Sequence, residues 1–452
     1  MDRRAFLYGT MATVGTGMML VPARSETERA RLAGLRGSFG GGDELLAAAG
    51  DDQSKVMQAA LDRAGREGRP LFLPPGRYEV SNLVLPAGVH VIGVPGQSRL
   101  VYSGGGRLLD CADASNVGID GVVIDGANRS LDDPEAGLLA FRDVRDLVIE
   151  RSEIVGSSGS ALVLTRTAGR ITSNRISGAA DIGLSAVESG GLTISDNTVT
   201  DCGEAGVALT RWDAGEDGSI VSGNRIERIA RPTGAGGRTG TGIRLTRAGA
   251  VIVTGNRVTD CATSAIAASE SANLQLVGNS CLRSGGAAID LEAGNEGAVL
   301  SGNLVEEAGA GIRLSSGTAA ARLTVCQGNV LRRLRGGDDE AGNDGVGIAV
   351  EADASVTGNV VEDAASVALM LGPGGRLRNV VASANVLRGG RVGIAVSVAE
   401  TAGHAVLADN VIEGQSEGAI RGLRGGLLVT GDLARASAAN FPHLTIENNR
   451  VG

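Results

Sequence analysis

The chain has 452 residues, a net charge of −9, 71 glycines and only 2% aromatic residues. Lys55 is the sole lysine and the arginines form no basic patch, which argues against nucleic acid as a partner. The length alone would permit two or three domains, but a glycine-rich, aromatic-poor composition suits a repetitive, turn-rich chain better than a conventional globular enzyme.

In chain order, the first element is an address. Asp2-Arg3-Arg4-Ala5-Phe6-Leu7 matches the twin-arginine export pattern, with Arg3, Arg4, Phe6 and Leu7 as its signal residues. A mildly apolar stretch follows to Val21-Pro22-Ala23, so residues 1–23 read as a signal peptide and 24–50 as a linker. The reading implies the twin-arginine translocase as a partner during export and a periplasmic location. That route carries folded proteins, some of them loaded with a cofactor. Beyond residue 25 no apolar stretch approaches spanning length, so no membrane span is expected in the mature chain.

Residues 51–117 read as an N-terminal cap with the first coils of a solenoid. Asp51-Asp52 can cap an amphipathic helix that places Val56, Met57, Ala60, Leu61 and Ala64 on one face. A helix at that point covers the open end of a stack of strands, which otherwise exposes apolar surface and strand edges. RPLFLPPGRY at 69–78 then leads into short strands through Val94.

Residues 118–452 repeat. Asn174, Asn197, Asn224, Asn256, Asn279, Asn303, Asn329, Asn359, Asn385 and Asn410 recur in phrases such as SGNRI and TGNVV, spaced by 23 to 32 residues. Alternating β-branched residues at that period indicate one rung of a three-sided parallel β-helix, in which stacking supplies the core that a single rung lacks. Within one rung, Leu192-Thr193-Ile194, Thr198-Val199 and Gly206-Val207-Ala208-Leu209 are the three strands, and Asp196-Asn197 is the corner. Asn tolerates the left-handed conformation of a tight corner, and stacked Asn amides can bond to one another as a ladder.

The acidic pair at 51–52, the helix, LPPGRY and the first Gly-punctuated rung resemble the start of pectate-lyase-like proteins. With the Arg3-Arg4 signal and the GN-type rungs, nearly the whole chain resembles the twin-arginine-translocated β-helix repeat family. The resemblance implies an all-β, right-handed parallel β-helix with an N-terminal amphipathic capping helix, related in shape to alginate and pectin enzymes. It carries over no catalytic residue.

In such proteins the ligand groove runs along the outer face of the strand that reads G-[IV]-x-[LV] here. Its outward position reads, rung by rung, Val163, Ser185, Ala208, Arg244, Ala267, Asp290, Arg313, Ala349, Met370 and Ala395. Most entries are small or apolar. Arg244, Asp290 and Arg313 stand out within four rungs, with Asp290 and Arg313 on adjacent strands. They read either as a carboxylate-recognition patch, with Asp290 as a base or a metal ligand, or as a surface ion pair that keeps rungs in register. Trp212, the only tryptophan, lies in the loop Arg211–Asp217; with Asp213 and Asp217 it forms a sugar platform or weak cation site, or else it folds over the rung edge.

Cys111, Cys202, Cys261, Cys281 and Cys326 show no disulfide or zinc spacing and are expected as free thiols. His90, His404 and His443 are scattered, no metal-ligand cluster is apparent, and the Gly-rich 234–242 insertion reads as a long loop between rungs. Three functions remain open: a glycan-binding protein that takes acidic polysaccharide or envelope glycan, a uronate lyase or epimerase using Arg244, Asp290 and Arg313, and a cofactor-carrying periplasmic protein whose cofactor the sequence does not name.

Overall fold

The computed structural model describes residues 52–133, 137–232, 238–315, 323–335, 345–436 and 440–452. The signal residues Arg3, Arg4, Phe6 and Leu7, the linker and Asp51 lie outside the described residues. Three 15-stranded sheets run side by side along the chain, and each rung contributes one short strand to each. Sheet 1 runs from Leu71–Phe72 to Leu444–Glu447, sheet 2 from Gly76–Val80 to Arg450–Val451, and sheet 3 from Leu83–Val84 to Leu427–Asp432. The fold is a right-handed parallel β-helix, as expected. Strand pairing continues across residues 117 and 118 through Ser115–Asp120, so cap and repeats form one stack.

Stacking like on like builds the core. Ile243, Ile266, Ile289, Ile312 and Ile348 succeed one another in register, all fully or almost fully buried. The glycine that opens the third strand has a steric cause at Gly311, where a Cβ would stand 2.2 Å from the Gly347 carbonyl oxygen.

The Asn ladder forms, with one correction. Ten predicted asparagines and Asn449 stack at the corner between sheets 1 and 2. Each of the ten donates its backbone N–H and its Nδ2 to the Oδ1 of the next; Asn256, for example, reaches Asn279 with both bonds at 3.0 Å. Nδ2 also donates to a carbonyl of the preceding rung, Val221 in the case of Asn256, at 2.9 Å. The left-handed conformation falls not on these asparagines but on the residue before each: Ser173, Asp196, Gly223, Gly255, Ala384 and Asp409 all have φ between 55° and 64°. That division follows from the geometry, because an Asn whose side chain must point inward to meet its neighbours is carried in extended backbone.

A second, chemically mixed ladder closes the corner between sheets 3 and 1. Thr167 donates its N–H to Ser189 Oγ at 3.0 Å, Leu192 to Ser219 Oγ at 3.1 Å, and Ser271 to Asn295 Oδ1 at 3.0 Å.

The ends are closed by different devices. Helix α1, Ser54–Glu67, buries Met57, Leu61 and Ala64, while Ala60 packs at the margin and Val56 is half exposed, contrary to the predicted face. Asp52 accepts the Ser54 N–H at 2.9 Å. Gln58 uses its side-chain amide as a surrogate strand, donating to Val84 O at 2.9 Å and accepting Val84 N–H at 2.8 Å. The first edge of sheet 3 is thereby satisfied. At the other end Gly418–Arg424 and Leu427–Asp432 fold into an antiparallel hairpin. Asp432 is buried in part, which opposes its charge, but the N–H groups of Ala419, Ile420 and Ala434 donate to it and hold its carboxyl below the usual range.

All five cysteines are buried free thiols. Cys281 lies inward in sheet 2 between Val258 and Val305, and Cys326 inward in sheet 1 beside Leu300.

Candidate functional site

Sheet 3 reproduces the predicted column in full. Val163, Ser185, Ala208, Arg244, Ala267, Asp290, Arg313, Ala349, Met370 and Ala395 are successive partners in register. The column extends backward through Ala140 and Asp110 and forward to Arg421.

The three charged exceptions do not form one cluster. Arg313 forks onto Asp290, Nε donating to Oδ1 at 2.8 Å and the terminal nitrogen donating to Oδ2. The carboxylate is 3% exposed, while the arginine side chain keeps 20% of its surface in solvent. The cation is therefore the member of the pair that faces the groove. Arg244 pairs elsewhere: it donates to Glu204 Oε1 at 2.8 Å, a residue in the connection that precedes its neighbouring strand. Ala267 separates the two groups.

Sequence reading missed Glu292. It follows Asp290 by two residues and so leaves the strand on the same face. Glu292 is solvent-exposed, yet partial desolvation by its surroundings raises its carboxyl first and the charge of Asp290 raises it further, while Arg313 opposes both. Alternation along the strand was the available signal.

Trp212 stands on a strand rather than in a loop, because Ala205–Glu216 continues as one extended element past the corner. It is 59% exposed, and the Arg166 guanidinium lies 5.9 Å from its ring centroid. Arg166 is itself held by a fork to Asp143, both bonds 2.6 Å. Glu188 accepts the Trp212 N–H and, at 3.2 Å, an Arg211 bond. Asp213, the next residue of the strand, is exposed. Asp217 is not: it is 5% exposed and accepts the Ser219 N–H at 3.1 Å, closing its own turn. Burial raises its carboxyl, and it offers no exposed acid to a ligand.

Two connections that lead into this section of sheet 3 are long in sequence. Residues 230–240 and 335–347 join sheet 2 to sheet 3, where other rungs need only 285–286 or 365–366. The first contains an antiparallel pairing of Arg231–Pro232 with Arg238–Thr239, so the predicted loop is in part a hairpin. Among the described residues no group of three His, Cys, Asp or Glu converges as a metal site requires. His90 Nε2 meets Asn116 Oδ1 at 3.2 Å on sheet 1, and His443 Nε2 meets Ser397 O at 3.1 Å at the end of the strand that carries Ala395, four rungs from Asp290. No described helix is long and apolar enough to cross a membrane.

Among solved structures, a PL6 alginate lyase in complex with a trisaccharide is similar at 13% identity and a TM-score of 0.51, covering 91% of this chain and 98% of its own. The catalytic unit of a GH87 α-1,3-glucanase from Streptomyces thermodiastaticus strain HF3-3 is similar at 14% identity and a TM-score of 0.51, over 90% of this chain and 67% of that one. The pre-mature gene product 12 of bacteriophage phi29 reaches a TM-score of 0.61 at 13% identity, over 90% of this chain and 60% of its own. At these identities the likeness is one of fold. A comparison with curated protein sequences gives no match. The model of a right handed beta helix region matches residues 97–226 and 212–329, together more than half of the sequence. The chain belongs to the right-handed β-helix family.

Proposed function

We propose that the chain is an exported, periplasmic β-helix protein that binds acidic polysaccharide along the outer face of sheet 3. The observation that carries this reading is the Asp290–Arg313 fork, which holds a partly exposed guanidinium on the outward column of sheet 3. A sugar chain needs a smooth track, and a uronate carboxylate needs a fixed planar cation. Arg244 supplies a second positive charge and Trp212 an exposed indole for a sugar face. Loops that border a rigid scaffold are where ligand contacts are ordinarily built.

Binding to a polyuronate is the direct test, measured beside a neutral glucan. Arg313→Lys keeps a charge next to Asp290 but loses the fork, and is expected to weaken binding by about 1–3 kcal/mol. Equal binding by parent and variant overturns the reading. Export is tested separately: replacing Arg3 and Arg4 with lysine is expected to leave precursor in the cytoplasm, because the translocase reads the arginine pair and not its charge.

A uronate lyase or epimerase is the second reading, favoured by Glu292. Such chemistry needs a group that takes the sugar C5 proton and a cation that neutralises the neighbouring carboxylate. Both Asp290 oxygens are engaged by Arg313, so Asp290 orients the cation and Glu292 is the better candidate for the proton. Glu292→Gln is then expected to retain polyuronate binding and abolish the release of unsaturated or epimerised product.

A further inference from the structure

Sheet 2 carries a pattern that neither the core nor the groove requires. In five successive rungs its outward position holds Leu304, Val330, Val360, Val386 and Val411, in register. The four valines are each 38–41% exposed. Two residues further along, the same rungs present Glu306, Arg332, Glu362, Arg388 and Glu413, so charge alternates in sign from rung to rung. At one end Arg332 donates to Glu306 at 2.8 Å, but the pairing loosens toward the other: Arg388 stands 3.9 Å from both Glu362 and Glu413, whose side chains remain 46% and 62% exposed. An aliphatic column beside a charge column that alternates every ~4.8 Å is a periodic face. A partner that matches it must carry the same period.

We infer that this face is an interface for a second copy of the chain, related by a two-fold axis perpendicular to the stack. Such an axis reverses rung order while laying aliphatic column on aliphatic column and charge column on charge column. With the axis midway between the Val360 and Val386 rungs, Val360 meets Val386 of the second copy and Val330 meets Val411. Glu362 then meets Arg388, and Arg332 meets Glu413, each pair formed twice. A one-rung offset of the axis by half a repeat opposes like charges, and a parallel arrangement lays valines over charges. The charge order thus selects a single kind of register, as charged edges do in other symmetric assemblies. Sheet 3, on another side of the solenoid, stays open to ligand.

Light scattering on the purified full chain, across a concentration series at low and high salt, tests the inference. The mass is expected to rise toward twice the monomer value with concentration and to fall back at high salt. Glu362→Arg and Arg388→Glu each oppose like charges across the axis and are expected to return the chain to monomer, with thermal melting used to verify that each variant is folded. The double variant Glu362→Arg/Arg388→Glu exchanges the two signs and is expected to restore the dimer, although it worsens repulsion within each chain. That divergence is the signature of contact between copies. A monomer at every concentration overturns the inference. So does a dimer indifferent to both single reversals, or a double variant that remains monomeric while folded.

Discussion

The Asn corner and the outer column of sheet 3 are built by the same stacking, yet they differ in what each rung is allowed to be. At the corner, eleven rungs in succession, from Asn174 to Asn449, present the same side chain, because each amide along the run is both donor to the next rung and acceptor from the last. A different residue at one rung leaves partners unmet on both sides. On sheet 3 no bond has to pass through every rung: Ala208 and Ala395 are buried, Ser185 and Met370 are partly exposed, and the residue type changes from rung to rung. Uniformity at the corner reports a constraint, and the departures on sheet 3 at Arg244, Asp290 and Arg313 report something added.

The sharpest way to break this comparison is Asn256→Leu. The substitution strands the Asn224 N–H in a buried corner, takes one partner each from Asn224 Nδ2 and the Val221 carbonyl, and leaves Asn279 Oδ1 with the backbone N–H alone; it is expected to cost about 3 kcal/mol in urea unfolding. A midpoint equal to that of the parent would mean that water replaces the ladder. Next in size is Arg313→Ala, which leaves Asp290 buried without its fork and is expected to cost about 2–3 kcal/mol of stability, short of the full cost of a wholly buried pair because the arginine is partly exposed. A cost near zero would make the pair an ornament of the surface. At the last rung, Asn449 is only partly buried and closes the ladder. Asn449→Ala is expected to cost about 1 kcal/mol, and a cost equal to that of Asn256→Leu would show that ladder position is irrelevant. The smallest effect is reserved for Ser185→Arg, at a column position whose neighbours Val163 and Ala208 are uncharged, expected to stay within about 0.5 kcal/mol.

Acid separates the same regions along another axis. Hydrogen bonds from Arg228 and Arg283 lower the carboxyls of Asp201 and Asp260. Their stabilising contribution is complete above the unfolded carboxylate value near ~3.9 and is lost as pH falls through the lower folded values. The Asn ladder does not titrate. Unfolding followed from pH 7 downward is therefore expected to lose stability only below about pH 4, and a loss centred near neutrality would contradict these assignments.

Much of this was legible in the sequence because repetition makes a register readable: once the Asn residues align the rungs, the sheet 3 column follows by counting. What escaped has a common cause. The ladder through Thr167, Ser189, Ser219, Ser271 and Asn295 uses three residue types and leaves no repeated phrase. Glu204, the partner of Arg244, is separated from it by an insertion whose length nothing local predicts. The burial of Asp217 depends on a strand that runs past its corner, and the terminal hairpin of Gly418–Asp432 breaks the period altogether. The left-handed residue was assigned one position too late, because tolerance of a conformation was taken for occupancy of it.

The buried thiols make the stack a recorder of its own opening. Burial pushes Cys111 up to about 11 and Cys202, Cys261 and Cys326 up to about 12, and it raises Cys281 as well. A thiol near 12 is ionised in only about one molecule in 10⁵ at pH 7, and these are sealed from reagents besides. Alkylation then proceeds only in the moments when a rung separates from the next. Cys111 lies near the helix-capped end, Cys202, Cys261 and Cys281 near the middle, and Cys326 further toward the hairpin end. The five labelling rates would chart where along the axis the solenoid first comes apart, without a single residue being changed.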